Sequence, residues 1–312
     1  MLDVIKVVKE VVMINLKIKH ANDVKKNIKK LMYYLMSTCL FNSIEVFSMN
    51  NPDDVRDSVS KTYGRYAAAP STCTCGCSCK AKKYAQDLGY TKSDLQDADA
   101  TVGALSCGNP VGIADLKSGE NVLDLGCGGG FDCRLAARRV GTTGRVFGVD
   151  MTEEMIKLAV KSTNPEKFPQ VTFIQNHIED VASIDGFKGF FDAVISNCVF
   201  NLSPEKQKVL NGVFDVLKVG GRLIFSDPVA LKPIPEATRK DMASFTSCMA
   251  NATPIEELSK MLATAGFENI RIEVKDDSSS YINKWTPESY WEEGESPKDY
   301  IATASIWAYK MK

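Results

Sequence analysis

Cysteine is the residue type that most clearly suggests chemistry in this chain of 312 residues, because it occurs ten times whereas histidine occurs twice. Two histidines leave few parts for a zinc hydrolase or a histidine-based catalytic triad. The chain is not a short secreted domain and no secretory signal precedes the cysteines, so we expect reduced thiols in a cytoplasmic protein rather than a disulfide framework. The cysteines are Cys39, Cys73, Cys75, Cys77, Cys79, Cys107, Cys127, Cys133, Cys198 and Cys248.

The run CTCGCSC holds four of these thiols in a segment whose composition is typical of a loop. Its cysteines are separated by single residues, whereas zinc sites usually place at least two residues between paired ligands. A zinc knuckle is therefore disfavoured, and the role of the run stays open at this point. The four residues are Cys73, Cys75, Cys77 and Cys79.

A glycine-rich turn follows a short apolar strand in the sequence VLDLGCGGG, residues 122–130. Gly126 and Gly128 would let a ligand approach the backbone closely. Asp124 precedes the first glycine, and Asp150 ends the next predicted strand 26 residues later. That offset is close to the spacing of about 20 residues expected for an acceptor of ribose hydroxyl groups. We therefore expect a cofactor at this turn.

The acid in front of the turn discriminates between cofactors. Asp124 would repel the pyrophosphate of a dinucleotide but suits the cationic α-amino group of S-adenosylmethionine, which favours a methyltransferase over a dehydrogenase. Met151 would lie against the adenine, although a core position is an equally good interpretation. The turn that contains Asn176 and Ile178 would meet the adenine edge.

From Glu120 onwards the sequence alternates between strand and helix patterns, which predicts right-handed βαβ units and a parallel sheet in an α/β protein. An earlier helix should begin at Pro52, with Asn51 as its N-cap and acids in its first turn. Strands are predicted at 122–126, 145–150, 171–176, 191–197, 220–227, 268–274 and 301–309. Helices are predicted at 131–140, 153–161, 204–217 and 255–265.

The turn and its two acids resemble those of the class I S-adenosylmethionine-dependent methyltransferases over roughly residues 85–275. The resemblance implies a Rossmann-like, seven-stranded, mostly parallel sheet with helices on both faces. It also implies that the last strand is antiparallel, which suits IATASIWAY near the C-terminus. Within this fold, Cys133 is interpreted as a core residue and Cys127 as a small residue of the turn.

Three further segments are similar to those of the arsenite methyltransferases: SCGNP, SNCVFNLSPEKQKVL and TSCMANA. They contain Cys107, Cys198 and Cys248, which the resemblance implies are the catalytic thiols that bind As(III). Cys198 directly follows the fourth strand, whose carboxyl end borders the methyl group in this fold. Soft thiolates suit trivalent arsenic. Three of them would leave its lone pair free to attack the methyl group, so no general base is needed.

The resemblance also implies an N-terminal cysteine or cysteine pair that relays metalloid and pairs with the cysteine matching Cys107. This chain has four thiols in CTCGCSC, so which of them takes that role stays open. A thiol reductant of the glutathione or thioredoxin type is expected to return arsenic to the trivalent state. Arsenite and methylarsenite are the expected substrates, arsenic detoxification is the expected role, and a monomer is expected.

Composition bounds the remaining alternatives. With 44% hydrophobic residues, 25% charged residues and a net charge of −1, the chain should form a soluble core and has no nucleic-acid footprint. No apolar run reaches the ~20 residues of a membrane span. The expected organisation is an extension over 1–48, a helical and cysteine-rich segment over 49–118, a cofactor-binding domain over 119–275 and a C-terminal segment over 276–312.

Residues 1–48 contain eight lysines and neither proline nor glycine. They could form a basic amphipathic helix on a membrane, but a non-native or disordered extension before Met49 is preferred, because a well-capped helix starts just after it. Two other functions remain: methylation of an organic molecule of the quinone or sterol type, and metalloid sensing without catalysis. The first does not need Cys198 or Cys248, and the second has no use for Asp124 and Asp150.

Overall fold

The computed structural model describes residues 51–68, 83, 85–97, 106–275 and 295–312. These residues all belong to one of the two compact units into which the chain divides, Met49–Lys312. The predictions for Cys39, for the CTCGCSC run and for residues 1–48 lie outside the described residues. Residues 276–294 of the predicted C-terminal segment lie outside them as well.

The described unit is built around one mixed β-sheet, as the sequence predicts. Its main path runs β3-β2-β1-β4-β5-β8-β7, and the two-residue strand β6 pairs with β5 off this path. The pairs among β1 to β5 are parallel, whereas β8 is antiparallel to both β5 and β7. The strands are β1 Asn121–Leu125, β2 Arg145–Asp150, β3 Val171–Gln175, β4 Phe191–Asn197, β5 Leu217–Ala230, β6 Thr253–Pro254, β7 Glu268–Val274 and β8 Ile301–Tyr309.

Helices flank the strands and connect them in sequence. Within the described residues, no helix is both long enough and apolar enough to cross a membrane. The helices are α1 Pro52–Ala68, α2 Pro110–Ile113, α3 Phe131–Val140, α4 Glu153–Ser162, α5 Lys206–Val216, α6 Glu236–Arg239, α7 Met242–Thr246 and α8 Ile255–Thr264.

Two apolar cores lie on opposite faces of the sheet, because successive side chains of a strand point to opposite sides. On β4, Val194 belongs to a cluster with residues of α5 and α8. Its neighbours Ala193 and Ile195 belong to a second cluster with residues of α3. Both faces of the central strands are therefore buried, which explains why their sequences are continuous apolar runs rather than alternating ones.

Helix α1 begins as the sequence predicts. The Asn51 carboxamide oxygen accepts a hydrogen bond from the Asp53 backbone N–H at 3.2 Å, and Asp53 and Asp54 occupy the first turn. Val55 and Val59 are buried on one face, four residues apart. Tyr66, near the end of the helix, is exposed.

The structure extends the predicted elements in three places. The fifth strand runs from Leu217 to Ala230, whereas 220–227 was predicted; Leu217 pairs with β4, and 228–230 pair with β8. The connection at 228–254 contains the short helices α6 and α7. The segment after Cys107, for which no element was predicted, forms α2, which is capped by a hydrogen bond from the Gly112 N–H to the Asn109 side chain at 2.8 Å.

We expect Phe191→Ala to destabilise the fold strongly, because Phe191 is fully buried and packs edge-on against Phe187 and Phe147 with ring centroids 4.8 and 5.7 Å away. Removing a buried phenyl ring costs about 3–5 kcal/mol. Urea unfolding followed by circular dichroism measures the change. The control is Val219→Ala, since Val219 is 68% exposed and should change stability little. Equal effects of the two substitutions would contradict this packing.

Candidate active site

The predicted cofactor turn connects β1 to α3 and is tied to β2. The backbone N–H groups of Gly126 and Cys127 both donate to the Val149 carbonyl, at 2.7 and 3.0 Å. Gly126 has a φ of +68°, and a Cβ there would lie 2.4 Å from a methyl group of Val199. Both conformation and space therefore require glycine at this position.

Asp150 ends β2 and faces the turn. Its carboxylate accepts hydrogen bonds from the N–H groups of Gly128 at 3.0 Å and Thr152 at 2.9 Å. Burial raises the pKa of Asp150, and these two donors oppose that shift because they favour the charged form. Each carboxylate oxygen can accept a second hydrogen bond. The Asp150 carboxylate can therefore also bind a pair of vicinal hydroxyls such as those of a ribose.

A cleft lies against the turn and Asp150. Five predicted cofactor residues and one predicted catalytic thiol share its wall: Gly126, Gly128, Asp150, Met151, Ile178 and Cys198. Their chemistry fits S-adenosylmethionine, since the glycines allow close approach, Asp150 can accept from the ribose, and Met151 and Ile178 supply apolar surface.

Two predicted cofactor residues do not line the cleft. Asp124 is 2% exposed and accepts a hydrogen bond from the Cys133 thiol at 3.1 Å. Burial, reinforced by the nearby Asp132 carboxylate, raises the pKa of Asp124 well above its usual value. Asn176 uses its side-chain oxygen to accept from the N–H of His177 at 2.8 Å. The predicted contacts of Asp124 with the amino group and of Asn176 with the adenine stay predictions.

The three predicted catalytic thiols lie in one buried cluster. Cys107 and Cys248 are fully buried, and Cys198 is 3% exposed at the wall of the cleft. The Ser226 carbonyl accepts from the Cys198 N–H at 2.8 Å and from the Cys107 thiol at 3.2 Å. The Cys248 thiol donates to the Cys198 carbonyl at 3.0 Å. Three distant segments therefore meet at the end of β4.

The electrostatics of this thiol cluster favour protonated sulfur. Burial raises the pKa of Cys107 and of Cys248 well above the usual value, and the interaction of each with Cys198 adds to the shift. The Asp227 carboxyl is buried nearby, and its pKa is raised as well. Burial is the larger cause, and the electrostatic interaction with Cys198 is the second. A ligand that binds these sulfurs would therefore have to displace their protons.

Backbone strain is concentrated at two of these cysteines. Cys198 and Cys248 have φ values of +59° and +65°, a left-handed conformation that residues with a Cβ rarely adopt. Such strain costs on the order of 1–3 kcal/mol and is often found at functional sites. Within the described ranges, no group of three His, Cys, Asp or Glu side chains is arranged to hold a metal ion. The three thiols are thus neighbours that would have to rotate to bind one atom together.

Asn197 is a residue of the site that sequence reasoning missed. Its side-chain oxygen accepts from the N–H groups of Cys107 at 3.3 Å and Gly108 at 3.2 Å, and its amide donates to the Gly108 carbonyl at 3.0 Å. The same amide lies 3.0 Å from both the Tyr90 hydroxyl and the Asp132 carboxylate. Burial raises the pKa of Asp132 to about 6, against the effect of these donors. Asn197 directly precedes Cys198, but its partners are distant in sequence and carry no local signal.

Helix α1 forms the opposite wall of the cleft, which the sequence did not indicate. Arg56, Val59 and Tyr63 line it. The Arg56 guanidinium lies 3.5 Å from the Glu179 carboxylate and also pairs with Glu205. The helix is thereby attached to the turns that follow β3 and β4, and it forms part of the wall of the cleft.

We expect Asp150→Ala to weaken binding of S-adenosylmethionine, the predicted cofactor, because it removes a charged acceptor worth about 1.5–3 kcal/mol. Isothermal titration calorimetry measures the affinity. Asp150→Asn should weaken binding less, since it keeps one acceptor oxygen, and Asp185→Ala is the control because Asp185 is exposed and outside the cleft. Unchanged affinity of Asp150→Ala would refute the assignment of a ribose acceptor.

Comparison with known proteins agrees with this cofactor site. A family model described as a methyltransferase domain matches residues 116–266, which include the turn and β1 to β6. The X-ray structure of an arsenic(III) S-adenosylmethionine methyltransferase from Chlamydomonas reinhardtii is similar, with a TM-score of 0.57 and 28% sequence identity. The match covers 78% of this chain and 75% of that chain.

Curated relatives extend the similarity beyond the domain. The arsenite methyltransferase of Halobacterium salinarum is 38% identical over 273 residues, which are 83% of this chain and 68% of that protein. The arsenite methyltransferase of Aquipseudomonas alcaligenes is 38% identical over 161 residues, and the match spans about half of each protein, 50% of this chain and 46% of the relative. The predicted resemblance is confirmed, and the chain belongs to the arsenite methyltransferase family of Rossmann-like, S-adenosylmethionine-dependent enzymes.

Proposed function

We propose that this protein transfers methyl groups from S-adenosylmethionine to trivalent arsenic bound by Cys107, Cys198 and Cys248. The observation that carries the proposal is the position of Cys198, which lines the same cleft as Gly126 and Asp150 and contacts the other two cysteines' segments. A methyl donor at the turn and an acceptor on Cys198 would share one enclosed volume.

The thiol cluster suits arsenite because of how protons balance. Each thiol that replaces a hydroxide of arsenite forms a sulfur–arsenic bond and releases one water, which carries the thiol proton. The raised pKa of Cys107 and Cys248 is therefore no obstacle, and no separate base is needed. Buried, soft sulfur ligands would leave the arsenic lone pair as the exposed nucleophile.

S-adenosylmethionine supplies a methyl group bonded to a positively charged sulfur, and the arsenic lone pair takes that methyl as the carbon–sulfur bond breaks. The chain contributes orientation and exclusion of water, which together can supply about 7–11 kcal/mol of a barrier. Asn197 holds the Cys107 segment, and helix α1 covers the cleft. Lys275 lies near Cys107, and burial lowers its pKa, so it is placed to favour the Cys107 thiolate when one forms.

Methyl transfer leaves arsenic pentavalent, so a two-electron reduction must precede the next round. We propose a thiol reductant of the glutathione or thioredoxin type, which would form one disulfide per arsenic reduced. We further propose mono-, di- and trimethylated products, a role in arsenic detoxification, a cytoplasmic location and a monomeric state. One of the four thiols of CTCGCSC would deliver metalloid to Cys107.

Methylation of an organic acceptor is the second candidate, because Val59, Tyr63 and Leu202 give the cleft an apolar wall. The two candidates separate in one assay. Purified protein is incubated with S-adenosylmethionine and either arsenite or a quinone, and the products are separated by chromatography, with arsenic-specific detection for the first mixture and mass spectrometry for the second. Methylated arsenic from the first mixture supports our proposal, whereas methylated quinone alone would support the alternative.

The number of exchangeable bonds on arsenic gives a sharper prediction. Arsenite can bind three thiolates, but methylarsenite can bind only two, because one bond is to carbon. We expect Cys198→Ser and Cys248→Ser to abolish methylation of both substrates. Cys107→Ser should abolish methylation of arsenite but largely keep that of methylarsenite, since Cys107 comes from the segment before the sheet. Chromatography of both reactions measures the split.

The matched control is Cys39→Ser, which removes a thiol that the sequence does not connect with the site. It should methylate both substrates at the unaltered rate. If Cys107→Ser loses both activities equally, or Cys198→Ser keeps either activity, the assignment of thiolates to the successive steps is wrong.

A further inference from the structure

A second pair of thiols lies behind the cofactor turn and takes no part in the arsenic cluster. Cys127 belongs to the turn, and Cys133 lies in the first turn of α3. Both pack against the same point of β2, since a Cβ on Gly148 would lie 2.7 Å from the Cys133 sulfur and 2.9 Å from the Cys127 Cβ. The two thiols lie close enough that each influences the pKa of the other.

The packing decides which chemistry this pair can undergo. A Cβ at residue 148 would collide with both side chains, so the space between them and β2 is already filled. Capture of arsenic there would need room for an added atom, as well as a third ligand. Joining the two sulfurs needs no extra atom, and two side chains that pack against the same point of β2 are neighbours, as a disulfide requires.

We propose that Cys127 and Cys133 are a redox modification site, at which a peroxide joins the two sulfurs and thereby weakens the binding of S-adenosylmethionine. The step is balanced: one sulfur–sulfur bond forms, the oxygen–oxygen bond breaks, and the two thiol protons leave in two molecules of water. The inference rests on the cofactor site and not on arsenic as the acceptor.

The disulfide would act on the cofactor site from two sides. Cys127 stands between Gly126 and Gly128, which line the cleft, and the Gly128 N–H donates to Asp150 at 3.0 Å. Pulling Cys127 towards α3 would move these donors. A disulfide also has no S–H, so Asp124 would lose the hydrogen bond that Cys133 donates to it at 3.1 Å.

The accessibility of the pair depends on the cofactor. Cys127 is 7% exposed and Cys133 is fully buried, so peroxide would reach Cys127 first. The neighbouring Cys133 thiol favours the Cys127 thiolate, but burial and nearby carboxylates outweigh this effect and raise the pKa of Cys127 to about 11. Little thiolate is then present near neutral pH, and oxidation is slow. Bound cofactor would cover the turn and slow it further.

Mass spectrometry can detect the disulfide directly. The full-length, cofactor-free protein is treated with hydrogen peroxide, alkylated with iodoacetamide and digested with trypsin. Both cysteines fall in one tryptic peptide, residues 118–134. We expect this peptide to resist alkylation and to be lighter than its dithiol form by two hydrogens. A saturating concentration of S-adenosylmethionine during the treatment should suppress the change.

Calorimetry then tests the functional consequence. Affinity for S-adenosylmethionine is the readout, because peroxide also reaches the thiols of the arsenic cluster and would abolish arsenite methylation in any case. We expect oxidation to weaken binding roughly tenfold, as the loss of a hydrogen bond to a charged group would, and dithiothreitol to restore it.

Cys133→Ser is the matched variant, since serine keeps a donor for Asp124 but cannot form a disulfide, and it is compared with itself before and after peroxide. Its affinity should not change on oxidation. Cys127→Ser gives the same test if Cys133→Ser does not fold. Absence of the unalkylated peptide, or an equal loss of affinity in the variant, would overturn the proposal. Failure of arsenite methylation alone would refute the proposed function and leave this inference standing.

Discussion

The carboxamide of Asn197 is the interaction on which the site depends, because it joins the cofactor cleft to the thiol cluster. It lines the cleft at the end of β4 and holds the backbone of Cys107 and Gly108. The next residue, Cys198, is thereby kept beside a segment that lies 90 residues earlier in the chain. Gly108 makes this approach possible, since a Cβ there would lie 2.3 Å from the Ser226 side chain.

Polar groups buried around the cluster hold its strained backbone. A left-handed cysteine costs on the order of 1–3 kcal/mol. At Cys198 this is offset by the hydrogen bond of its N–H to the Ser226 carbonyl and by Asp227, whose carboxyl group accepts from the Phe200 N–H at 3.0 Å and from the Asn201 amide at 2.6 Å. A typical intramolecular hydrogen bond contributes about 0.5–1.5 kcal/mol. The turn after β4 is therefore fixed by buried hydrogen bonds as well as by apolar packing.

Much of the fold could be predicted from local sequence patterns, whereas the contacts between distant segments could not. Strands such as 145–150 and 191–197 were placed correctly, because each is a short apolar run next to turn residues, and buried parallel strands have that composition. The last three residues of β5, 228–230, were missed because they are defined by pairing with β8, more than 70 residues later, rather than by their own sequence. Helices α6 and α7 are only four and five residues long, too short to show a periodic apolar pattern.

The candidate site also contains residues that local sequence patterns indicate and residues that they do not. Gly126 and Asp150 are spaced as in a cofactor-binding motif and line the cleft, and Cys198 follows a recognisable strand. Tyr90, Asp132 and Asn197 form their network only in the folded chain, so no spacing in the sequence reveals it. Asp124 shows the converse, because its place before the turn indicates a ligand contact, yet its carboxyl is buried against Cys133.

One physical requirement explains why cofactor turn, thiols and helix α1 are assembled at a single edge of the sheet. Transfer of a methyl group from sulfur to arsenic involves no proton, so acid and base groups add little. The protein must therefore act by orienting the reactants and excluding water. The carboxyl ends of β1, β2 and β4 lie at one edge because the strands are parallel, which brings Gly126, Asp150 and Cys198 to one cleft. Arg56 then attaches α1 across that cleft through Glu179. Removing water in this way favours an uncharged thiol cluster over a charged one, and the raised pKa of Cys107 and Cys248 is the direct consequence of the same enclosure.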